Sequence, residues 1–438
     1  MIDHTHDPAA RSWLPAAGPF AIQTLPFCVF SHAARSGVRR VGVGIAGHVL
    51  DLTAAQQAGL VDDLDHALRP ALRASELNRL LALTPAHWSA LRHRVFALLI
   101  DDDSGWRNVR DLVRACLLPV EAVSLHSPVA VGDYTDFYAS IHHATNVGTM
   151  LRPEQPLLPN YRHVPIGYHG RASSVVVTGT AVRRPWGQTL PRGAETPQFG
   201  PTQRLDYELE IGLVIGGENS LGQPVAVTRA LERVFGIVLL NDWSARDVQA
   251  WEYQPLGPFL GKSFATSISA WVVPIEALAP RRVAAMARRP QDPAVLPYLL
   301  DADDQARGAF DLHLEVLVAT ERMRTLGQPA ERVSHSNLRD LYWTPAQLVA
   351  HHTSNGCNLR PGDLLGTGTV SGTHPESRGC LLERTWGGTE PLALPSGESR
   401  RFLEDGDCVE LVTPGYEELR CAGLVLPATP EHTSPGRS

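Results

Sequence analysis

Among its 39 basic residues this 438-residue chain has a single lysine, Lys262, which lies near the end of the stretch 239–266, LLNDWSARDVQAWEYQPLGPFLGKSFAT. A chain that otherwise writes its cations as arginine marks here a place where a planar fork does not replace a compact ammonium with rotatable donors. Upstream, GIVLL reads as a strand ending in Asn241-Asp242, and Ser244 followed by Asp247 reads as a capping-box start. On the helix that follows, Arg246, Gln249 and Tyr253 recur at spacings of three and four, so they share one face. A carboxylate at a strand end, a helix face of guanidinium, amide and phenol, and one ammonium in a Gly/Pro loop suit an anionic, oxygen-rich ligand.

A second set of candidates lies in 205–215, LDYELEIGLVI, where Asp206, Glu208 and Glu210 occupy one face of a strand and Leu205, Tyr207, Leu209, Ile211 and Leu213 the other. Like charges placed side by side repel, so the face is either fully solvated or holds a cation. Asp136 and Asp242 also sit at the edges of apolar strands, which favours the cation, and oxygen-only donors imply Ca²⁺ or Mg²⁺ rather than zinc. In 133–148, DYTDFYASIHHATNVG, a helix running from Asp136 would bring His143 to nearly the same side and rotate His142 away. His143 is therefore the candidate general base. His351-His352, on an apparent helix, read as packing residues because neighbours in sequence cannot face one ligand. In 358–372, Thr369 and Ser371 share a face of a Gly/Thr-rich strand that suits a ligand carboxylate, or forms a plain turn. Glu383 lies in an apolar run and must be paired or protonated; pairing with His143 would make a base-orienting dyad.

The elements that must hold these residues are mainly short strands. FAIQTLPFCVFS and RRVGVGIAGHVLDL alternate from Phe20 onward. The second contains a literal G-x-G-x-x-G at Gly42–Gly47, but no helix opens within it, so Ala46-Gly47 reads as a hairpin turn. Residues 60–99 are helical in periodicity. The organisation predicted is a loose segment 1–19, with His4 and His6 solvated, a small β-plus-helix domain 20–125, a catalytic domain 129–426 with a surface connection at 281–307, and a disordered tail 427–438. Strands are predicted at 174–177, 207–215, 236–240, 271–274, 312–319 and 409–412. A net charge of −7 with dispersed basic residues excludes an electrostatic nucleic-acid or membrane-surface binder. Six cysteines without C-x-x-C pairs, and no export signal, read as reduced thiols in a cytoplasmic protein. No apolar run reaches the roughly 18 residues of a membrane span.

Taken together, DYTDFY with His143, GYHGRASS, LDYELE, NDWSARDVQAWEY, PLGPFLGKSF, QDPAVLPYL and NGCNLRPGDLLGTGTVSG resemble the fumarylacetoacetase family over 20–426. The resemblance implies a mainly β (α+β) fold, with a small N-terminal SH3-like β-barrel, a larger C-terminal mixed β-sandwich or β-roll, and a homodimer. It implies hydrolysis of the carbon–carbon bond of a β-diketone, fumarylacetoacetate, to fumarate and acetoacetate. It further implies calcium on Asp136, Glu208, Glu210 and Asp242, and magnesium near Asp242, Lys262 and Thr266, with Lys262 acting through its main-chain carbonyl. His143 oriented by Glu383 would activate water, and Arg246, Gln249 and Lys262 would receive the oxyanion. Tyr138, Arg152, Tyr168, Gln249, Tyr253 and Thr369 would bind substrate. His142 departs from the expected neutral neighbour of the base. Two alternatives stay open: a superfamily relative, namely an acylpyruvate hydrolase, a β-keto acid decarboxylase or an isomerase, which Glu383 and residues 20–125 argue against, and a non-catalytic calcium binder, which has no use for His143, Lys262 or Arg246.

Overall fold

The computed structural model describes residues 2–15, 18–32, 37–101 and 108–430. Two strands buried on both faces set its architecture. Leu209–Ile215 and Val234–Asp242 pair antiparallel with Leu209 opposite Asn241. Along them Leu209, Ile211, Leu213, Ile237 and Leu239 turn to one core, and Val214, Val238 and Leu240 to another, as a period of two requires. The first core is closed by a second sheet, ordered Glu331–Asn337, His313–Ala319, Cys408–Val412, Arg420–Leu426, Val182–Arg183, through Leu314, Val316, Val409 and Leu411. The other core is closed by N-terminal helices, chiefly Pro85–Leu99, which contributes Leu91, Val95 and Leu98. Each such buried leucine or isoleucine contributes about 1.5–3 kcal/mol of transfer free energy. The strands predicted at 174–177, 207–215, 236–240, 271–274, 312–319 and 409–412 fall within one or two residues of those observed, whereas the one read from Phe20 begins only at Phe27, and Thr369 and Ser371 lie beyond the strand Leu364–Gly366 rather than on it.

The N-terminal strands Phe27–His32, Arg40–Ile45, His48–Asp51 and Leu117–Pro119 form an antiparallel meander, with Val123–His126 on the far side of the first. The Gly42–Gly47 motif is the predicted hairpin: Ala46 and Gly47 both take the left-handed conformation, φ 47° and 74°. The SH3-like barrel expected here is not observed: among the described residues these strands do not close on themselves. Instead Phe27 pairs with Val272, and Trp271–Pro274 carries the meander into Val234–Asp242 as one continuous sheet. The edge that barrel closure would remove is covered by a strand from the other half of the chain.

The predicted looseness of the N-terminus also needs correction. Asp3 caps a 3-10 turn His4–His6, Thr5 and His6 are buried, and the His6 Nε2 lies 2.8 Å from the Glu276 carbonyl. His4 is exposed, stacked on His93 at 5.2 Å. The 281–307 connection holds a short helix, Ala302–Arg307, and a buried Leu299, so it is more than a surface strap. Of the tail, 431–438 lies outside the described residues. No described helix is long and apolar enough to cross a membrane.

Candidate active site

The acidic residues meet where four strands lie side by side. Across the sheet run Val234–Asp242, Leu209–Ile215, Leu364–Gly366 and Tyr134–Phe137. Antiparallel pairing brings the Asp242 end of the first beside the Glu208–Glu210 start of the second, and Gly366 pairs with Asp136. Strands two apart in a sheet are separated by about 10 Å, so Glu210 and Asp136 can meet only across a residue without a side chain. Gly366 is that residue: a Cβ there would stand 2.5 Å from Asp136 Oδ1 and 3.0 Å from Glu210 Oε2. Next along, Gly368 (φ +75°) donates its N–H to both carboxylates, at 3.2 Å and 3.0 Å. One oxygen from each of Asp136, Glu208, Glu210 and Asp242 lies within 4.8 Å of the others, and all four residues are buried.

Two cations face this charge. The Lys262 ammonium donates to Glu208 Oε2 and Asp242 Oδ2, each at 2.6 Å. Arg246 meets Glu208 through Nη1 at 2.8 Å, but its Nε is given to Asp206 at 2.9 Å. Burial would raise the Glu208 carboxyl, yet Lys262 and Arg246 together hold it below its ordinary range. Asp242 shares the same ammonium without the guanidinium, so burial wins and its carboxyl is raised. Burial and the Asp242 charge push Asp136 up to about 8. Glu210 is raised too, by burial and then by Asp136. Lys262 itself, which burial alone would discharge, is kept charged by Asp242 and Glu208.

This balance tests the divalent-cation reading on the residues themselves. More carboxylate charge is buried than the two cations neutralise, Glu210 Oε1 has no hydrogen-bond partner, and every converging donor is oxygen. That donor set fits a hard divalent cation. Thr266 donates from Oγ1 to Asp242 Oδ1 at 3.1 Å, and the Tyr168 hydroxyl to Asp242 Oδ2 at 3.0 Å.

His143 stands on the rim. The helix predicted to run from Asp136 does not; Asp136 is in a strand, and the helix Ile141–Leu151 begins after Ser140, which caps it by accepting the His143 N–H at 3.3 Å. His143 arrives by that first turn instead. Its Nδ1 is 2.6 Å from Glu383 Oε2, and its Nε2 is 3.9 Å from Glu208 Oε1. Glu383, fully buried, also accepts from Asn146 Nδ2 and Ser371 Oγ, both at 2.8 Å, and from Cys380 Sγ at 3.2 Å. Burial would raise its carboxyl, but the imidazole beside it brings it below the ordinary value. Ser371 is thus committed to Glu383 rather than open to a ligand, while the Thr369 hydroxyl is buried without a partner. Burial lowers the pKa of His142, the half-buried neighbour of His143, against the opposing pull of Asp340 and Glu383.

The remaining candidates gather less tightly. Arg246 begins the helix Arg246–Glu252, and Gln249 Oε1 accepts from its Nη1 at 3.2 Å. The predicted Ser244/Asp247 capping box is not formed: Ala245 is the cap, and Asp247 accepts from Thr202 Oγ1 and the Gln203 N–H instead. The Tyr138 ring packs edge-on to His143 at 5.2 Å. Arg152 ends the His143 helix with its Nε buried and unpartnered. Tyr253 follows the Arg246 helix, and its hydroxyl accepts from Gln254 at 3.2 Å. His352 lies 3.0 Å from Thr135 Oγ1 and His351 3.0 Å from the Tyr298 hydroxyl, the packing roles predicted for them. Sequence reasoning missed Asn146, although it sits three residues after His143 on the same helical face. It also left Asp206 among the acidic face without a partner.

Residues 23–128 match the family description "Fumarylacetoacetase N-terminal", and residues 133–422 match "Fumarylacetoacetate (FAA) hydrolase C-terminal". The chain belongs to the fumarylacetoacetase family. The fumarylacetoacetase of Caenorhabditis elegans is 46% identical over 427 residues, covering 95% of this chain and 98% of that one. The human fumarylacetoacetase is 43% identical over 429 residues, covering 95% and 99%. The Arabidopsis thaliana protein is 45% identical over 424 residues, covering 94% and 96%. Among solved structures, a putative HpcE protein from Mycobacterium smegmatis (TM-score 0.52, 19% identity, 92% of this chain and 99% of that one) shares the fold. So does a fumarylacetoacetate hydrolase from Exiguobacterium antarcticum (TM-score 0.51, 17% identity, 92% and 100%).

Proposed function

We propose that this chain hydrolyses fumarylacetoacetate to fumarate and acetoacetate, the last step of tyrosine and phenylalanine degradation. The observation that carries the reading is His143, whose two ring nitrogens face Glu383 on one side and the acidic centre on the other, in a chain built like the fumarylacetoacetases throughout its length. Asp136, Glu208, Glu210 and Asp242 would hold calcium, and Asp242 with Thr266 and the Lys262 main-chain carbonyl a magnesium; the Lys262 ammonium is committed to Glu208 and Asp242. When bound, the cation at the four carboxylates supplies a Lewis-acidic pole for the diketone oxygens.

The chain's own residues then divide the work. His143 takes a proton from water at Nε2, and Glu383, already held negative, stabilises the imidazolium through Nδ1–H. Arg246, with its Nη2 unpartnered, receives the oxyanion together with Gln249 and Lys262. His143 then holds the proton that the departing carbon must acquire. Arg152 suits a terminal carboxylate, and Tyr138, Tyr168, Tyr253 and Thr369 line the substrate. Loss of fumarylacetoacetate absorbance on adding the protein, with and without chelator, tests the reading. Turnover that needs divalent cation supports it; no turnover with both Ca²⁺ and Mg²⁺ present refutes it and turns attention to acylpyruvates.

The same reading includes a homodimer in the cytoplasm. The loop after the Arg246 helix exposes Leu256, Phe259 and Leu260, and the helix itself Trp251, an apolar face that suits a second copy. Cys28, Cys357, Cys380, Cys408 and Cys421 form no disulfide, as a reducing compartment allows. Light scattering that returned a monomer would remove the dimer from this reading.

A further inference from the structure

We infer that Asp206 is a positioning residue that fastens the oxyanion arginine to the helix bearing Glu383. The inference rests on the hydrolytic reading above. Asp206 is fully buried on the two-residue strand Leu205–Asp206, beside but outside the set of four converging carboxylates. Each of its oxygens is used twice. Oδ1 accepts from the N–H groups of Tyr207 and Leu381, both at 2.8 Å, and Oδ2 from the Leu382 N–H and Arg246 Nε, both at 2.9 Å. No lone pair is left for substrate or cation, which separates its role from that of Glu208 two residues on.

What those bonds join is the argument. The helix Leu381–Arg384 carries Glu383, and its own cap residue, Cys380, makes no side-chain cap bond. The orphan N–H groups of its first turn must be satisfied from elsewhere. Asp206 supplies that from 175 residues away in sequence. The same carboxylate fixes the guanidinium plane of Arg246 at Nε; Glu208 and Gln249 take Nη1, and Nη2 is left without a partner. One buried side chain therefore sets both where Glu383 holds His143 and where Arg246 offers its free donor. A misplacement of about 1 Å at either costs about 100-fold in rate.

Asp206→Asn tests it, because the amide keeps the shape but presents an N–H₂ where two donors already point. The expected result is a fall in kcat of about 100-fold with KM and calcium affinity within about threefold. In an Arg246→Met background the same change costs much less, since one of the two arms is already gone. A third readout does not depend on turnover: the low-field proton resonance of His143 Nδ1, from its short bond to Glu383, is lost or shifted. Wild-type kcat, strictly additive losses or an unshifted resonance overturns the inference. If Asp206→Asn does not fold, Asp206→Ser, which keeps an acceptor in less volume, takes its place; failure of both makes Asp206 a requirement of the fold and overturns a positioning role. Should the wild type leave fumarylacetoacetate untouched, the hydrolytic reading fails, while the resonance still reports whether Asp206 governs the His143–Glu383 pair.

Discussion

Replacing Glu383 by Gln isolates the charge of the dyad from its shape. The carboxylate accepts from His143, Ser371 and Cys380 at Oε2 and from Asn146 at Oε1. A glutamine oxygen can keep the first set, and Asn146 can turn its amide over to accept from the new N–H₂. The imidazole thus keeps its hydrogen bond and orientation, and only the countercharge of the imidazolium is lost. Unit charges about 4 Å apart attract by about 4 kcal/mol at an effective dielectric of 20, and the neutral bond that remains is worth about 1 kcal/mol. The barrier should therefore rise by about 2–4 kcal/mol, a fall in kcat of about 30- to 1000-fold. The assay is steady-state loss of fumarylacetoacetate absorbance at saturating substrate, with calcium binding followed by calorimetry. Calcium affinity should not move, because Glu383 is not among the converging four. A loss in kcat below about fivefold, or one confined to KM or calcium affinity, would refute the electrostatic role assigned to Glu383.

Other perturbations read other parts of the site. Lys262→Arg keeps the charge but must fit a guanidinium where Nζ lies 2.6 Å from two carboxylates in a buried slot; kcat should fall at least about 100-fold, and full activity would remove the special status of the lone lysine. Gly366→Ala sets a methyl 2.5 Å from Asp136 Oδ1; overpacking of about 1–3 kcal/mol should weaken calcium binding about 5- to 150-fold, as calorimetry would show. For pH, the cation-free fold holds Asp136 near 8 and raises Glu210 and Asp242. It thus carries protons that the unfolded chain releases by about pH 5, so its stability falls as pH rises from about 5 toward 8. Calcium should displace those protons and flatten the slope of Tm against pH. Calorimetry at neutral pH in buffers of different ionisation enthalpy should register proton release on calcium binding, and its absence would mean the carboxylates were already ionised.

What the sequence disclosed depended on whether a residue's role is local. The period-two pattern of 205–215 puts Asp206, Glu208 and Glu210 on one strand face, but the strand breaks at Tyr207-Glu208, so Glu208 and Glu210 converge and Asp206 does not; the three-residue spacing of Arg246 and Gln249 does place both on one helix. His143 was identified for a partly wrong reason, since the chain turns from strand to helix at Ser140 between it and Asp136. The first helical turn nevertheless brings its Nε2 to 3.9 Å from Glu208 Oε1. Asp206 was unreadable for the opposite cause: its partners Leu381 and Leu382 donate main-chain N–H groups, which no side-chain pattern displays. Ser371 was given a ligand because nothing in 358–372 announces that Glu383 returns beside it.

The barrel expectation failed for a reason that bears on the site. A barrel would have left the N-terminal strands self-contained, but Phe27–His32 instead pairs with Trp271–Pro274, and that strand lies directly against Val234–Asp242. The strand ending in Asp242 is therefore braced on one edge by Leu209–Ile215, and on the other by Thr266–Ile268 at its Asp242 end and by Trp271–Pro274, which continues the N-terminal meander, at Gly236 and Ile237. Four buried carboxylates repel one another and would spread if their strands could slide. At the charged end the sliding is resisted by Thr266–Ile268, which pairs with Leu240–Asp242, while the sheet continued through the N-terminal half anchors the same strand at Gly236 and Ile237. The N-terminal strands and the Pro85–Leu99 helix thus do their work at a distance, by fixing the register that lets Asp136, Glu208, Glu210 and Asp242 converge.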